Sequence, residues 1–312
     1  MVDRIEFGWR MPTFSVDRAT ERVFNDQLTD SVMEFDGVYD SVWVDDHLHP
    51  WATFMDNTTD VLECWTSLSY IAAITKHLRI GPFVLSQSYR NPALLAKMAA
   101  TLQALSRGRF ILAIGAGWKE DEYKAYGYEF PKAYVRVEQL AESLEIITRM
   151  WREDAPTFHG RWHHIEKAYC YPKPDPPPPI MVGVGGRLGL KIAAKYGDWW
   201  NWTVIDGYKD RLNLLREYCR SIGRDFREIK PTLGVFVAIG DSREESQSIA
   251  KKSPFTTYFP PSKCIVGDPD DIAERLGEMI KVGVEHFIIR FLDFPEKKGA
   301  RLFANKVISK LR

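Results

Sequence analysis

Apolar residues along this chain gather in short runs, and between most of those runs the spacing changes to a helical one. Eight runs have the β-branched and aromatic character of strands: Ile5–Trp9, Ser41–Val44, Leu78–Leu85, Arg109–Ile114, Ile180–Val184, Trp199–Thr203, Thr232–Ile239 and His286–Phe291. The helical pattern is plainest after the third run. Asn91 can cap a helix that begins at Pro92, and Leu94, Leu95, Met98, Leu102 and Leu105 follow at helical spacing. Gly108 then stands where the chain must leave that helix. Val137, Leu140, Leu144, Ile147 and Trp151 repeat the pattern, as do Ile272, Leu276, Met279 and Ile280. Strands alternating with helices imply parallel pairing through crossovers. Eight of them predict an α/β fold, a (β/α)8 TIM barrel forming one domain over residues 1–312. An open doubly wound sheet is the alternative, because periodicity does not reveal closure.

Two stretches break the alternation. Thr157–Asp175, with the sequence FHGRWHHI, predicts a β-hairpin excursion that returns through PKPDPPPP, a stiff extended connector. Lys251–Asp270, with PFTTYFPPSK and GDPDD, reads as irregular. Insertions are therefore expected at about 153–178 and 251–270, on the C-terminal face, as binding loops or lids.

Composition narrows the partners. The 45% hydrophobic and 13% aromatic content supplies a core and excludes disorder for the bulk of the chain. Forty-two basic residues balance forty-two acidic ones without a Lys/Arg run, which leaves no footprint for nucleic acid. No apolar stretch approaches the roughly 18 residues of a membrane span. The opening MVDRIEFGWR is charged where a signal peptide would be apolar. A cytoplasmic protein acting on a small molecule is expected. Cys64, Cys170, Cys219 and Cys264 form no CxxC pair and read as free, buried thiols.

Barrel active sites lie at the C-terminal strand ends, and that rule selects a short list. The second strand runs into Asp45, Asp46, His47, Leu48, His49, Pro50 and Trp51. A histidine beside carboxylates there suits acid–base work, and equally suits polar capping of a loop. His47 and His49 also invite a metal reading. No later strand ends in histidine, however, so a ligand set is missing and no metal is expected. The fourth strand ends in Gly115, Ala116, Gly117 and Trp118, with the acids Glu120, Asp121 and Glu122 beyond. The fifth leads to Gly183, Val184, Gly185, Gly186, Arg187, Leu188 and Gly189, opening a helix. That turn lacks the P-loop GK[ST] and a proper GxGxxG. An anion at the helix N-terminus is preferred over a plain tight turn. Trp9, Trp51, Trp118, Trp199, Trp200 and Trp202 gather near strand ends, where flat walls suit a planar ligand, though each also suits core packing.

Taken together, SVWVDDHLHPW, ECWTSLSYIAAITKHLRIG, RNPALLAKMAATLQALSRGRFILAIGAGW, EYKAYGYEFP and PPIMVGVGG resemble the luciferase-like flavin and deazaflavin oxidoreductases, strongly over about residues 5–205. DHLHPW is most similar to the group that uses coenzyme F420. The resemblance implies hydride transfer at the deazaflavin, with His47 and Trp51 flanking the reacting carbon and Asp46 contacting the ring. It implies a non-prolyl cis peptide at Phe83–Val84 behind the ring, further contacts from Ser86, Ala116 and Gly117, and a phosphate turn at Gly185, Gly186, Leu188 and Gly189. A homodimer is expected. There are departures: Trp118 stands where sugar and alcohol dehydrogenases carry a catalytic glutamate, Phe14 stands near a second, and Asp206 replaces a lysine that grips a sugar phosphate. A phosphorylated sugar is thus disfavoured, and Glu120, Asp121 and Glu122 remain open as substitute proton donors. An FMN-dependent monooxygenase of the same superfamily is the second reading. A non-catalytic cofactor carrier is the third.

Overall fold

The structure, a computed structural model, describes residues 4–15, 21–259 and 263–312. Twelve strands follow in chain order: β1 (Glu6–Arg10), β2 (Ser41–Val44), β3 (Arg79–Pro82), β4 (Leu85–Ser86), β5 (Leu112–Gly115), β6 (Phe158–His159), β7 (His164–Ile165), β8 (Ile180–Gly183), β9 (Trp199–Trp202), β10 (Lys230–Ile239), β11 (Cys264–Gly267) and β12 (His286–Phe291). All but β6 and β7 join one sheet in the order β3-β2-β1-β12-β10-β9-β8-β5-β4, with β11 added on β10. Its pairings are parallel. The ring closes where Ile80 accepts from Ile111 and donates to Arg109, each bond 2.9 Å. Helices surround this α/β barrel, and β6 with β7 forms the hairpin expected in the first insertion.

Three expectations need correction. The run Leu78–Leu85 is not one strand: β3 and β4 are separated by a cis peptide bond at Phe83–Val84. The stretch 251–270 is not irregular throughout, since it holds a helix at Phe255–Tyr258 and the strand β11; residues 260–262 lie outside the described residues. β10 is long enough to hold two neighbours on one edge, β9 along its first half and β11 along its second. The helix Pro92–Leu105 buries Leu95, Ala96, Ala99, Ala100 and Leu102, but Leu94 and Leu105 are exposed. Its small alanines allow a close approach by the helix Ala133–Arg152, whose Trp151 donates to the carbonyl of Ala96 at 3.0 Å. The Asn91 cap is as expected, accepting from Ala93 and Leu94. The four cysteines are free and buried.

Strand periodicity decides what fills the ring. On β2, Val42 and Val44 face the helices, while Trp43 joins Phe83, Ile111, Ala113, Met181, Trp199 and Ile288 in a separate interior cluster. A tryptophan fits inside so narrow a ring because both flanking strands carry glycine beside it. A Cβ on Gly81 would fall 2.6 Å from the Trp43 ring, and one on Gly8 would meet the same indole and Ser41. At the N-terminal end, Glu6 accepts from His286 (3.0 Å), Arg79 (2.6 Å) and Lys230 (2.8 Å), and both cations lie on the Trp199 ring. Burial opposes ionisation of Glu6, but these partners hold its carboxyl far below the usual range. That end is thus plugged by ion pairs and indole, which leaves the opposite face for ligands. Among the described residues, no helix is long and apolar enough to cross a membrane.

Gly81→Ala is expected to lower stability by ~1–3 kcal/mol, the usual range for overpacking a filled core. Urea denaturation reads this directly. An unchanged midpoint would mean that Trp43 has room to move.

Candidate active site

Three consecutive acidic or basic residues after β2 take three different sets of partners. Asp45 is fully buried; it accepts from Arg10 Nε (2.7 Å), Arg290 (2.7 Å) and Trp51 Nε1 (3.0 Å). Burial works against its charge, but the two guanidinium groups hold the carboxyl well below its usual value. Asp46 accepts from the Ser86 backbone (2.9 Å) and from both terminal nitrogens of Arg90 (3.1 and 3.0 Å). Both aspartates therefore fasten strand ends together. His47 differs from both, its Nδ1 lying 3.0 Å from Glu122 Oε2.

Glu122 comes from a short helix, Glu120–Ala125, just beyond β5, and it is completely buried. Besides His47, it accepts from the Tyr89 hydroxyl (2.6 Å) and from the backbone of Leu48. Burial raises its pKa, yet these donors prevail and leave it lowered. The carboxylate is thus ionised and fully engaged. Of the three acids open as substitute proton donors, Glu120 pairs with Lys124 and Asp121 with Lys119, both at the exposed surface. Glu122 is the one that reaches the site, and it does so behind His47. With the Nδ1 proton directed at Glu122, Nε2 remains the nitrogen available to a ligand.

A cavity of about 770 Å³ opens beside His47. It is lined by His47, Trp51 and Asp46 from the β2 end, and by Phe83, Val84 and Ser86 around the cis peptide. Ala116 and Gly117 line it after β5, and Gly185, Gly186, Leu188 and Gly189 after β8. The residues that the family resemblance assigned to the site therefore border one space. Its floor is made flat by pairing a side chain with two absent ones. A Cβ on Gly115 would lie 3.0 Å from a methyl of Val84, and one on Gly183 would lie 2.9 Å from it.

The glycine turn does two jobs. Gly186 is the N-cap of the helix Arg187–Tyr196, has no side-chain cap, and would point a Cβ into open space. Gly185 and Gly189 are small for packing: their Cβ atoms would strike the Trp202 ring and Val184. The turn thus combines an open helix start at Gly186 with close packing at Gly185 and Gly189. Trp202 Nε1, beside this turn, is buried with no partner among the described residues.

Other residues sort as follows. His49 turns to stack on Tyr126, away from His47. Trp51 is buried, Trp118 is 57% exposed and meets His47 edge-on at 5.6 Å, and Trp202 lines the cavity. Trp9 and Trp200 pack in the core. Tyr89, Arg10, Phe236 and Lys263 also line the site without having been singled out. Arg10 ends β1 and so obeys the strand-end rule that selected the others; Tyr89 carries no comparable signal.

Comparison with known proteins places this geometry. A family model described as luciferase-like monooxygenase matches residues 36–262. An F420-dependent glucose-6-phosphate dehydrogenase of Kineococcus radiotolerans is 31% identical over 245 residues, covering 77% of this chain and 72% of its own. One from Amycolatopsis mediterranei is 26% identical over 304 residues, covering 88% and 90%. Among solved structures, an F420-dependent secondary alcohol dehydrogenase with an F420-acetone adduct superposes with a TM-score of 0.82. It shares 21% identity and covers 99% of this chain and 100% of its own. The monooxygenase RslO1 from Streptomyces bottropensis gives 0.81 at 18% identity, over 98% and 99%. The chain belongs to the luciferase-like monooxygenase family.

Proposed function

We propose that this protein is an oxidoreductase that transfers hydride between coenzyme F420 and a small organic substrate, with His47 handling the accompanying proton. The observation that carries the reading is the buried, ionised Glu122 holding His47 at the edge of a flat-floored cavity. The F420-dependent relatives support the choice of coenzyme. When bound, the deazaflavin supplies a ring carbon that gives or takes hydride.

The residues suit such a group. The Val84 floor is broad and apolar, and Phe83, Asp46, Ser86, Ala116 and Gly117 border it. The uncapped helix start at Gly186 would hold a phosphate of the coenzyme, with Leu188 lining the cavity and Gly185 and Gly189 giving the turn its shape. Trp202 Nε1 is an orphan donor beside that turn. His47 accepts or gives a proton at Nε2, and Glu122 fixes the ring and its tautomer. Trp51, anchored by Asp45, forms the wall beside it. Among the described residues, no group of three or more His, Cys, Asp or Glu side chains could hold a metal ion. The protein acts in the cytoplasm as a homodimer, a state to which exposed Met33 and Tyr70 on neighbouring helices lend apolar surface. FMN is the competing cofactor, because monooxygenases share the fold.

Titration of the purified protein should give micromolar or tighter binding of F420 and much weaker binding of FMN; equal or tighter FMN binding would move the protein to the monooxygenase reading. In the same assay Gly186→Val should weaken F420 far more than a deazaflavin fragment lacking the phosphate. Gly185→Val should instead lower the melting temperature through Trp202. An unchanged ratio of the two affinities in Gly186→Val removes the phosphate from this turn.

His47→Ala should reduce turnover by about 10²–10⁴-fold on any substrate the wild type uses, the range for a general acid or base. F420 affinity should stay within a few-fold. Wild-type kcat in this variant takes His47 out of the mechanism.

Glu122→Ala takes the acceptor from His47 Nδ1, the Tyr89 hydroxyl and the Leu48 and His49 backbone amides, and should lower stability at neutral pH by ~1–3 kcal/mol. The folded-state pKa of Glu122 lies below the ordinary 4.5. Its contribution is therefore complete above that value and is lost as pH falls through the folded pKa. Urea denaturation at neutral and acid pH should show the gap between wild type and Glu122→Ala narrowing in acid. A constant gap would mean that the carboxylate's charge is not what matters.

A further inference from the structure

The cavity has two ends of different character. One holds the glycine turn and Trp202. At the other, where β1 and β10 approach the loop after β2, the walls are the rings of Trp51, Phe83, Phe236 and Phe259. Arg10 ends β1 among them. Its guanidinium carbon lies 4.5 Å from the centre of Phe83 and 5.6 Å from those of Trp51 and Phe236.

Arg10 is over-charged for its surroundings. Its Nε donates to Asp45, but its two terminal nitrogens make no hydrogen bond among the described residues. Asp45 does not neutralise it, because the same carboxylate also serves the buried Arg290 at 2.7 Å. One carboxylate between two guanidinium groups leaves one positive charge over. Lys263 borders the same end, 5.8 Å from the Phe259 ring, with no carboxylate partner among the described residues. The acids that could compensate are committed elsewhere: Asp46 to Arg90, Glu122 to His47 and Tyr89.

A surplus cation in a mostly apolar recess is costly to desolvate, and aromatic faces offset only part of that cost. A carboxylate offset far more of it, accepting two parallel bonds from the guanidinium fork. The rings around Arg10 meanwhile offer flat apolar contact and almost no partners for hydroxyl groups.

We propose that Arg10, assisted by Lys263, is the anion-binding subsite for the substrate, and that the substrate is an organic carboxylic acid with a flat apolar body lying on Trp51, Phe236 and Phe259. This rests on the reading above, in which substrate and F420 share the cavity. Asp45 acts as a positioning residue that holds Arg10 by Nε and leaves its terminal nitrogens directed to the ligand.

The test uses benzoate, phenylacetate and 2-naphthoate, each against its own carboxamide, titrated into protein with and without bound F420. F420 binding is read separately from its own absorbance. At least one acid should bind about tenfold or more tightly than its amide, on the scale of a charge-assisted hydrogen bond. Arg10→Gln should erase that preference, Arg10→Lys should keep part of it, and Lys263→Gln should diminish it. If Arg10→Gln does not fold, the other two variants still decide. Equal binding of every acid and amide to the wild type overturns the proposal, as does a preference left intact in all folded variants. An acid preference that persists while F420 fails to bind sustains this subsite and sinks the cofactor reading instead.

Discussion

Asp45 has no exposed surface, yet two arginines and an indole converge on it. Those partners come from the end of β1, the end of β12 and the loop that carries Trp51, so one carboxylate fastens three parts of the ligand-binding rim. The arrangement is stable only as a set. Arg290 is almost wholly buried, and its Nε and one terminal nitrogen already lack partners among the described residues. Taking away Asp45 would strand that guanidinium in an apolar surrounding, a far larger penalty than the net worth of the ion pair itself. Burial accordingly pulls the Arg290 guanidinium below its usual pKa, while Asp45 works the other way.

The same logic repeats twice more around the cavity. Asp46 binds Arg90 and the Ser86 backbone, and Glu122 binds His47, Tyr89 and Leu48. Each of the three acids is buried, and each is filled by donors that the chain itself provides. None has spare capacity to act as a proton donor. In the proposed mechanism the proton is moved instead by His47, which Glu122 holds from behind. Such fixed dipoles and charges need no rearrangement when a ligand arrives, which is the condition for effective electrostatic catalysis.

Much of this was legible in the chain. Eight barrel strands stood out because each is a β-branched or aromatic run between helical patterns, and the strand-end rule pointed at Asp45, Asp46 and His47. The same rule pointed at the glycine-bearing ends of β5 and β8, whereas Phe83, Val84 and Ser86 were named only through resemblance to a family, since no periodicity distinguishes them from their neighbours. β11 stayed hidden because three apolar residues between PPSK and GDPDD are too few to show alternation. Leu94 and Leu105 looked like core because they keep helical spacing, whereas the face that packs is built from alanines, whose weak hydrophobic signal hides a close approach. Choosing Glu122 from three adjacent acids required three-dimensional information: only burial and a 3.0 Å contact separate it from Glu120 and Asp121. The two turn glycines likewise differ only in what lies beside them, Trp202 in one case and open space in the other.

The residues at Trp118 and Phe14 now fit one physical picture. Phe14 is fully buried against Trp51 and Phe255, so the position near a relative's acid has become part of an apolar wall. Trp118 sits edge-on to His47, adding a second ring where a glutamate would bring charge. Each change removes hydrogen-bonding capacity from the substrate side and adds aromatic area. A polyhydroxylated substrate is oriented by many directional bonds, and this recess offers few. Orientation of the reacting carbon towards His47 must then come from shape and from one strong polar contact. A single charged anchor at Arg10, opposite an apolar body on flat rings, supplies both with little loss of freedom beyond the first contact.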